Sequence, residues 1–164
     1  MRFNALAALF ASAIVLGACG GGENNATTND TAATPAAGAS AAGTATAMPA
    51  TGATHTVNMV VNANGEYRFE PAEITIKAGD KIEWIMVSGG PHNVAFQNVP
   101  EAAKAQLNAN MPDQPVAGEL ASPLFMNAGE KYEVSFAGIP AGTYDYVCTP
   151  HLALGMTGKV TVTE

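Results

Sequence analysis

An all-β fold, a Greek-key β-sandwich of about eight strands with one short helix, is what this sequence predicts. Two observations carry that prediction. From Thr54 onward apolar and polar residues alternate with period two, and the alternating runs are separated by clusters of turn-forming residues.

The alternation is legible run by run. Ile74 and Ile76 are set between Glu73, Thr75 and Lys77. Ile82, Trp84 and Met86 alternate with Lys81 and Glu83. Further on, Tyr132, Val134 and Phe136 alternate with Lys131, Glu133 and Ser135, and Val160 and Val162 with Lys159, Thr161 and Thr163. Each run turns one face inward and the other to water, as antiparallel sandwich strands do. The separators Ala78-Gly79-Asp80, Ala128-Gly129-Glu130 and Pro140-Ala141-Gly142 supply the turns. The one helical stretch is Pro100 to about Ala109, with Glu101 near its start. Short strands at this spacing over roughly 110 residues suit a sandwich with Greek-key connections.

The chain has 164 residues, enough for one ordinary domain and a tail, and no internal repeat is visible. Fourteen acidic residues against seven basic give a net charge of −7, which speaks against nucleic acid or an anionic membrane surface as a partner. Nothing in the sequence calls for more than a monomer.

Three regions are expected: 1–18, 19–53 and 54–164. Met1-Arg2 is a short positive start, and an apolar run from Phe3 to Val15 follows, broken only by Asn4 and Ser12. A stretch this short, ending in small residues, reads as a secretion signal and not as a membrane-spanning helix. The tetrad Leu16-Gly17-Ala18-Cys19 resembles the lipobox of bacterial lipoproteins. That resemblance implies cleavage before Cys19, lipidation of Cys19, and a protein exported and held by its lipid on a bacterial membrane, facing the periplasm or the cell exterior. From Gly20 to about Ala53 the chain is mostly Ala, Thr, Gly, Asn and Pro, with no Lys, Arg or aromatic residue. Such a segment buries too little apolar area to offset its ordering entropy, so it is expected to be a tether with a reach of roughly 30 Å. His55, at the tether's edge, is expected to be a solvated histidine.

The segment from Cys148 to Met156, Cys-Thr-Pro-His-Leu-Ala-Leu-Gly-Met, joins two expected strands. A tight loop of this kind can aim the Cys148 thiolate, the His151 imidazole and the Met156 thioether at one centre. His92, at another loop–strand junction in Gly90-Pro91-His92-Asn93, offers a second imidazole. Thiolate and thioether are soft ligands that select copper, whereas zinc sites rarely use Met. Two His and one Cys with a weak axial Met form the pattern of a blue-copper electron-transfer centre. An exported protein rarely keeps one unpaired thiol, since it would oxidise; a metal gives Cys148 a reason to exist. Pro150 lacks an N–H and so cannot donate to the Cys148 sulfur.

Cys148-Thr149-Pro150-His151, then Met156 and Gly158-Lys159-Val160-Thr161-Val162, resembles the C-terminal ligand loop of plastocyanins, and pseudoazurins share its spacing. Phe69-Glu70-Pro71, Ile76-Lys77-Ala78-Gly79-Asp80 and Pro91-His92-Asn93-Val94 are similar to plastocyanin as well. The resemblance spans 54–164 and implies a cupredoxin-like sandwich, one copper per chain, no substrate chemistry, and ligation by both imidazoles through Nδ1. It further implies that Asn93 ties the two ligand loops together beside Thr149 and Pro150. This chain departs from the plant proteins in carrying Val147 where they have a tyrosine, and it lacks their acidic run after the first histidine.

A one-electron carrier between exported or membrane-bound redox proteins is therefore expected, cycling Cu(I)/Cu(II) with a c-type cytochrome, a cytochrome complex or a terminal oxidase or reductase. The alternative is a periplasmic copper-binding or copper-delivery protein, though the tether has no Met- or His-rich tract. A copper enzyme would need further imidazoles, and the chain has three His in all. Pro91, Leu152 and Leu154 are apolar at loop tips and are expected to dock the partner around the His151 edge.

Overall fold

The computed structural model describes residues 45–164. The expected signal peptide, Cys19 and most of the expected tether lie outside the described residues. The elements are β1 (Thr54–Val61), β2 (Tyr67–Glu70), β3 (Glu73–Lys77), β4 (Lys81–Met86), β5 (Ala95–Gln97), α1 (Glu101–Asn110), β6 (Lys131–Ser135), β7 (Gly142–Val147) and β8 (Thr157–Thr163), with a 3₁₀ helix over Thr149–Leu154 between the last two strands. Two four-stranded sheets result, in the orders β2-β1-β4-β6 and β3-β8-β7-β5. This is the eight-stranded sandwich with one short α-helix that the alternation implied.

The inward positions follow the pattern. Ile82, Trp84 and Met86 of β4, Tyr132 and Val134 of β6, Phe136 just beyond it, and Val160 and Val162 of β8 are all buried. Between the sheets their rings interlock: Trp84 meets Tyr146 edge-on at 5.4 Å, and Phe69 meets Tyr146 at 4.7 Å. Gly158 leaves room for that packing, since a Cβ there would lie 2.3 Å from the Tyr146 ring. In α1, Ala103 and Leu107 face the core, and Glu101 sits in the first turn, where the helix dipole favours an anion.

Pairing corrects one expectation. The strands are not all antiparallel: β1 runs parallel to β4, with Thr54 opposite Lys81, and β3 runs parallel to β8, with Glu73 opposite Lys159. The reason is the crossing between sheets. β2 and β3 are one extended run broken only at Pro71-Ala72, where the chain passes from the first sheet to the second. The Ala78–Asp80 turn then sends β4 back beside β1 in the same direction.

The folded body also begins earlier than residue 54. Gln106 Nε2 donates to the Thr46 carbonyl at 2.9 Å, and Met48 N–H donates to Asn110 Oδ1 at 2.9 Å. Thr51 and Gly52 N–H both donate to the Gly79 carbonyl, and Ala53 N–H donates to Asp80 Oδ1 at 2.7 Å. These bonds use backbone groups of 46–53, which every residue carries whatever its side chain, so composition could not reveal them. His55 is likewise not free in solvent. It is half-buried, with Nε2 2.8 Å from Asp80 Oδ2.

Candidate metal centre

Three backbone pieces converge at the end of the sandwich where β4 and β7 finish. His92 lies on the loop after β4, and its backbone pairs with Phe125 in both directions, at 3.1 and 2.8 Å. Cys148 follows β7 directly. The 3₁₀ turn then carries His151 back: His151 N–H donates to the Cys148 carbonyl at 3.1 Å, and Met156 N–H to the His151 carbonyl at 3.2 Å. Cys148 N–H closes the loop on the Met156 carbonyl at 3.0 Å. Gly155 makes the reversal with φ of +82°, a conformation that a side chain would strain. Nine residues thus fold the chain from Cys148 through His151 and back to Met156 by short-range backbone bonds.

Cys148 Sγ is 3.5 Å from His92 Nδ1 and 3.4 Å from His151 Nδ1, and the two Nδ1 atoms are 3.2 Å apart. The centre of so nearly equilateral a triangle lies about 2 Å from each corner, the length of ordinary metal–nitrogen and metal–thiolate bonds. Among the described residues these three form the group of metal-binding side chains whose ligand atoms lie within 4.8 Å of one another. The His92 Nε2 is 2.8 Å from the Ser88 carbonyl, which only accepts, so that nitrogen carries the hydrogen and Nδ1 presents its lone pair to the centre.

The surroundings favour uncharged imidazoles. His92, Cys148 and Met156 are fully buried and His151 is 8% exposed. Burial lowers both imidazoles from their ordinary value, and His92 lowers His151 further by proximity. Burial pushes the Cys148 thiol up, while the backbone amides of Asn93 and His151 pull against it. Those amides stand at the sulfur although Pro150 offers none. Two neutral nitrogen donors and one sulfur, with no carboxylate in the group, are a soft set that suits copper.

Asn93 links the loops. Its Oδ1 accepts the Thr149 N–H at 2.7 Å, and its Nδ2 donates to Thr149 Oγ1 at 3.2 Å. Leu152 and Leu154 are exposed on the 3₁₀ turn, Pro91 is half-buried beside His92, and Val147 is buried. Two contributors escaped the sequence reading. Ser88 orients His92 through its carbonyl, which no side-chain pattern signals. Tyr67 on β2 stacks on the His151 ring, with centroids 3.9 Å apart and planes at 17°. Its position one alternation before Phe69 was the available hint.

The family model described as copper binding proteins, plastocyanin/azurin family, matches residues 55–163. A chloroplastic plastocyanin of Tetradesmus obliquus is 40% identical over 129 residues, covering 77% of this chain and 78% of its own. Plastocyanin of Prochlorothrix hollandica is 38% identical over 116 residues, covering 71% and 78%. Among solved structures, oxidised plastocyanin of Dryopteris crassirhizoma matches with a TM-score of 0.52 and 26% identity, over 66% of this chain and 100% of that one.

Proposed function

This chain belongs to the plastocyanin/azurin family of copper-binding proteins, and on that premise we propose a lipid-anchored, exported carrier of single electrons whose one copper is held by His92, Cys148, His151 and Met156. The observation that carries this is the triangle of Cys148 Sγ and two inward Nδ1 atoms, each corner set by its own hydrogen bonds. Copper held there supplies the Cu(I)/Cu(II) couple. The protein's part is to hold three donors so that neither oxidation state requires the chain to move. The paired His92 backbone, the Asn93–Thr149 link and the Cys148–Met156 closure do this. Met156, buried at the end of the loop, would complete the set as its weak fourth donor.

Burial also separates this reading from copper delivery. Delivery needs exchangeable ligands, and here three of the four are fully buried. The third and last histidine, His55, is bound to Asp80 beside the Ala78–Asp80 turn. That turn precedes β4 and His92 follows it, so a strand of roughly 17 Å separates them, too far for a second copper in one site.

The partner is a redox protein of the c-type cytochrome, cytochrome-complex or terminal oxidase class. The apolar Leu152 and Leu154 with Pro91 form the docking face. Weak redox encounters bury little area, which suits a small apolar patch. Lipidation at Cys19 would hold the carrier on its membrane, facing the periplasm or the cell exterior.

The test is direct. The domain loaded with Cu(II) should be intensely blue at one copper per chain, and Cys148→Ser should lose the colour with the sandwich intact. Preference for zinc, or a colourless copper form, would refute the copper assignment. Mass spectrometry of the exported full chain should find lipid on Cys19 and none on Cys19→Ala; an unmodified Cys19 in the exported wild type would refute the anchor.

A further inference from the structure

His151 is the ligand on the solvent side of the set, yet it is only 8% exposed. The chain segment that covers it is not part of either ligand loop. Tyr67, on edge strand β2, lays its ring face to face on the imidazole, centroids 3.9 Å apart and planes within 17°. The same ring meets His92 at 6.1 Å and 65°, so it touches both imidazoles. Tyr67 itself is half-buried, and so stands between the ligand set and water.

The ring is also held from behind. Gly89, in the loop that carries His92, has φ of +78°, and a Cβ there would lie 3.1 Å from Tyr67 Cε1 and 2.9 Å from Val61 Cβ. A glycine at that place leaves the tyrosine its slot. Tyr67 thus lies next to the Gly89 backbone on one side and stacks on His151 with its ring face.

Resting on the reading of this site as a copper electron carrier, we propose that Tyr67 is a positioning residue for His151: its ring fixes the imidazole with Nδ1 inward and keeps water off the one ligand that burial by the sandwich does not cover. Two consequences follow physically. A fixed imidazole needs little rearrangement when the charge at the site changes. A drier site disfavours the more highly charged oxidation state, so the tyrosine raises the reduction potential. A hydroxyl plays no part in either effect, so phenylalanine should serve as well.

The experiment compares wild type with Tyr67→Phe, Tyr67→Leu and Tyr67→Ala. In metal-free protein, NMR should show the His151 ring protons shifted upfield by the tyrosine ring current. Tyr67→Phe should keep that shift, and Tyr67→Leu and Tyr67→Ala should lose it. In copper-loaded protein the potential should fall in Tyr67→Ala, fall less in Tyr67→Leu, and stay unchanged in Tyr67→Phe, all remaining blue. An unchanged or raised potential in Tyr67→Ala, or His151 signals indifferent to residue 67, would overturn the proposal. A wild type that takes up no copper would instead refute the carrier reading, and the metal-free NMR comparison would still decide the stack. If Tyr67→Ala unfolds, Tyr67→Leu carries the same comparison.

Discussion

Asn93 and Thr149, 56 residues apart, hold each other by two hydrogen bonds, one from the Thr149 amide to Asn93 Oδ1 at 2.7 Å and one from Asn93 Nδ2 to Thr149 Oγ1 at 3.2 Å. Each residue is the immediate neighbour of a corner of the triangle, His92 on one side and Cys148 on the other. The distance between two ligand loops is thus governed by one amide side chain.

Asn93→Ala should accordingly cost about 1–3 kcal/mol in metal-free stability, because a part-buried amide and hydroxyl lose their partners. Copper should also leave faster, since the two loops are no longer tied. Urea unfolding and transfer of copper to a chelator measure the two effects. Wild-type stability together with wild-type release would show the link to be idle. Asn93→Ser, which is too short to span the gap, should behave like the alanine variant.

Met156→Leu should remain blue and retain its copper, because a thioether would be the weakest donor of the proposed set and the three-atom plane is untouched. Its potential should rise, as the oxidised form loses more donation than the reduced form does. Voltammetry decides it, and an unchanged potential and spectrum would remove Met156 from the ligand set.

Asp80 makes the stability of the domain pH-dependent. Its carboxylate accepts the Lys77 amide at 3.0 Å, His55 Nε2 at 2.8 Å and the Ala53 amide at 2.7 Å. The Lys77 amide first, then His55 and Ala53, hold its carboxyl below the ordinary value of 3.8. A depressed carboxyl contributes stability that is fully present above that value and is lost as pH falls through the lower, folded one. Urea midpoints should therefore decline below about pH 4 in wild type and decline less in Asp80→Asn, following that linkage. In the variant, amide exchange should quicken at Ala53, whose N–H loses its carboxylate. Parallel pH curves for the two proteins would contradict this.

Leu152→Glu should leave the copper spectrum alone and slow electron transfer to the redox partner by about tenfold or more, roughly 1.4 kcal/mol at the encounter. Stopped-flow mixing with the redox partner reads it. An unaffected rate, with slowing instead in a Val147 variant, would move the docking face to the β7 side.

Much of this was present in the sequence because it is local. Alternation assigns Ile82, Trp84 and Met86 to the core wherever β4 lies, since successive side chains in a strand point to opposite faces. The Cys148–Met156 loop gathers its own donors through bonds spanning at most eight residues. The separators at Ala78–Asp80 and Ala128–Glu130 announce their turns by composition. What the tertiary structure alone decided depends on pairings between distant segments, whose partners no short window contains. The direction in which β1 lies against β4 follows from the chain changing sheets at Pro71-Ala72. The Asp80 carboxylate reaches back 27 residues to the Ala53 amide, which extends the folded body into a stretch whose composition signals only a tether. And Tyr67 reads in sequence as an ordinary alternating strand residue. It comes to lie on His151 because the sandwich sets the edge strand β2 beside the ligand loop, and stacking of two rings depends on that placement rather than on anything in either residue's own neighbourhood.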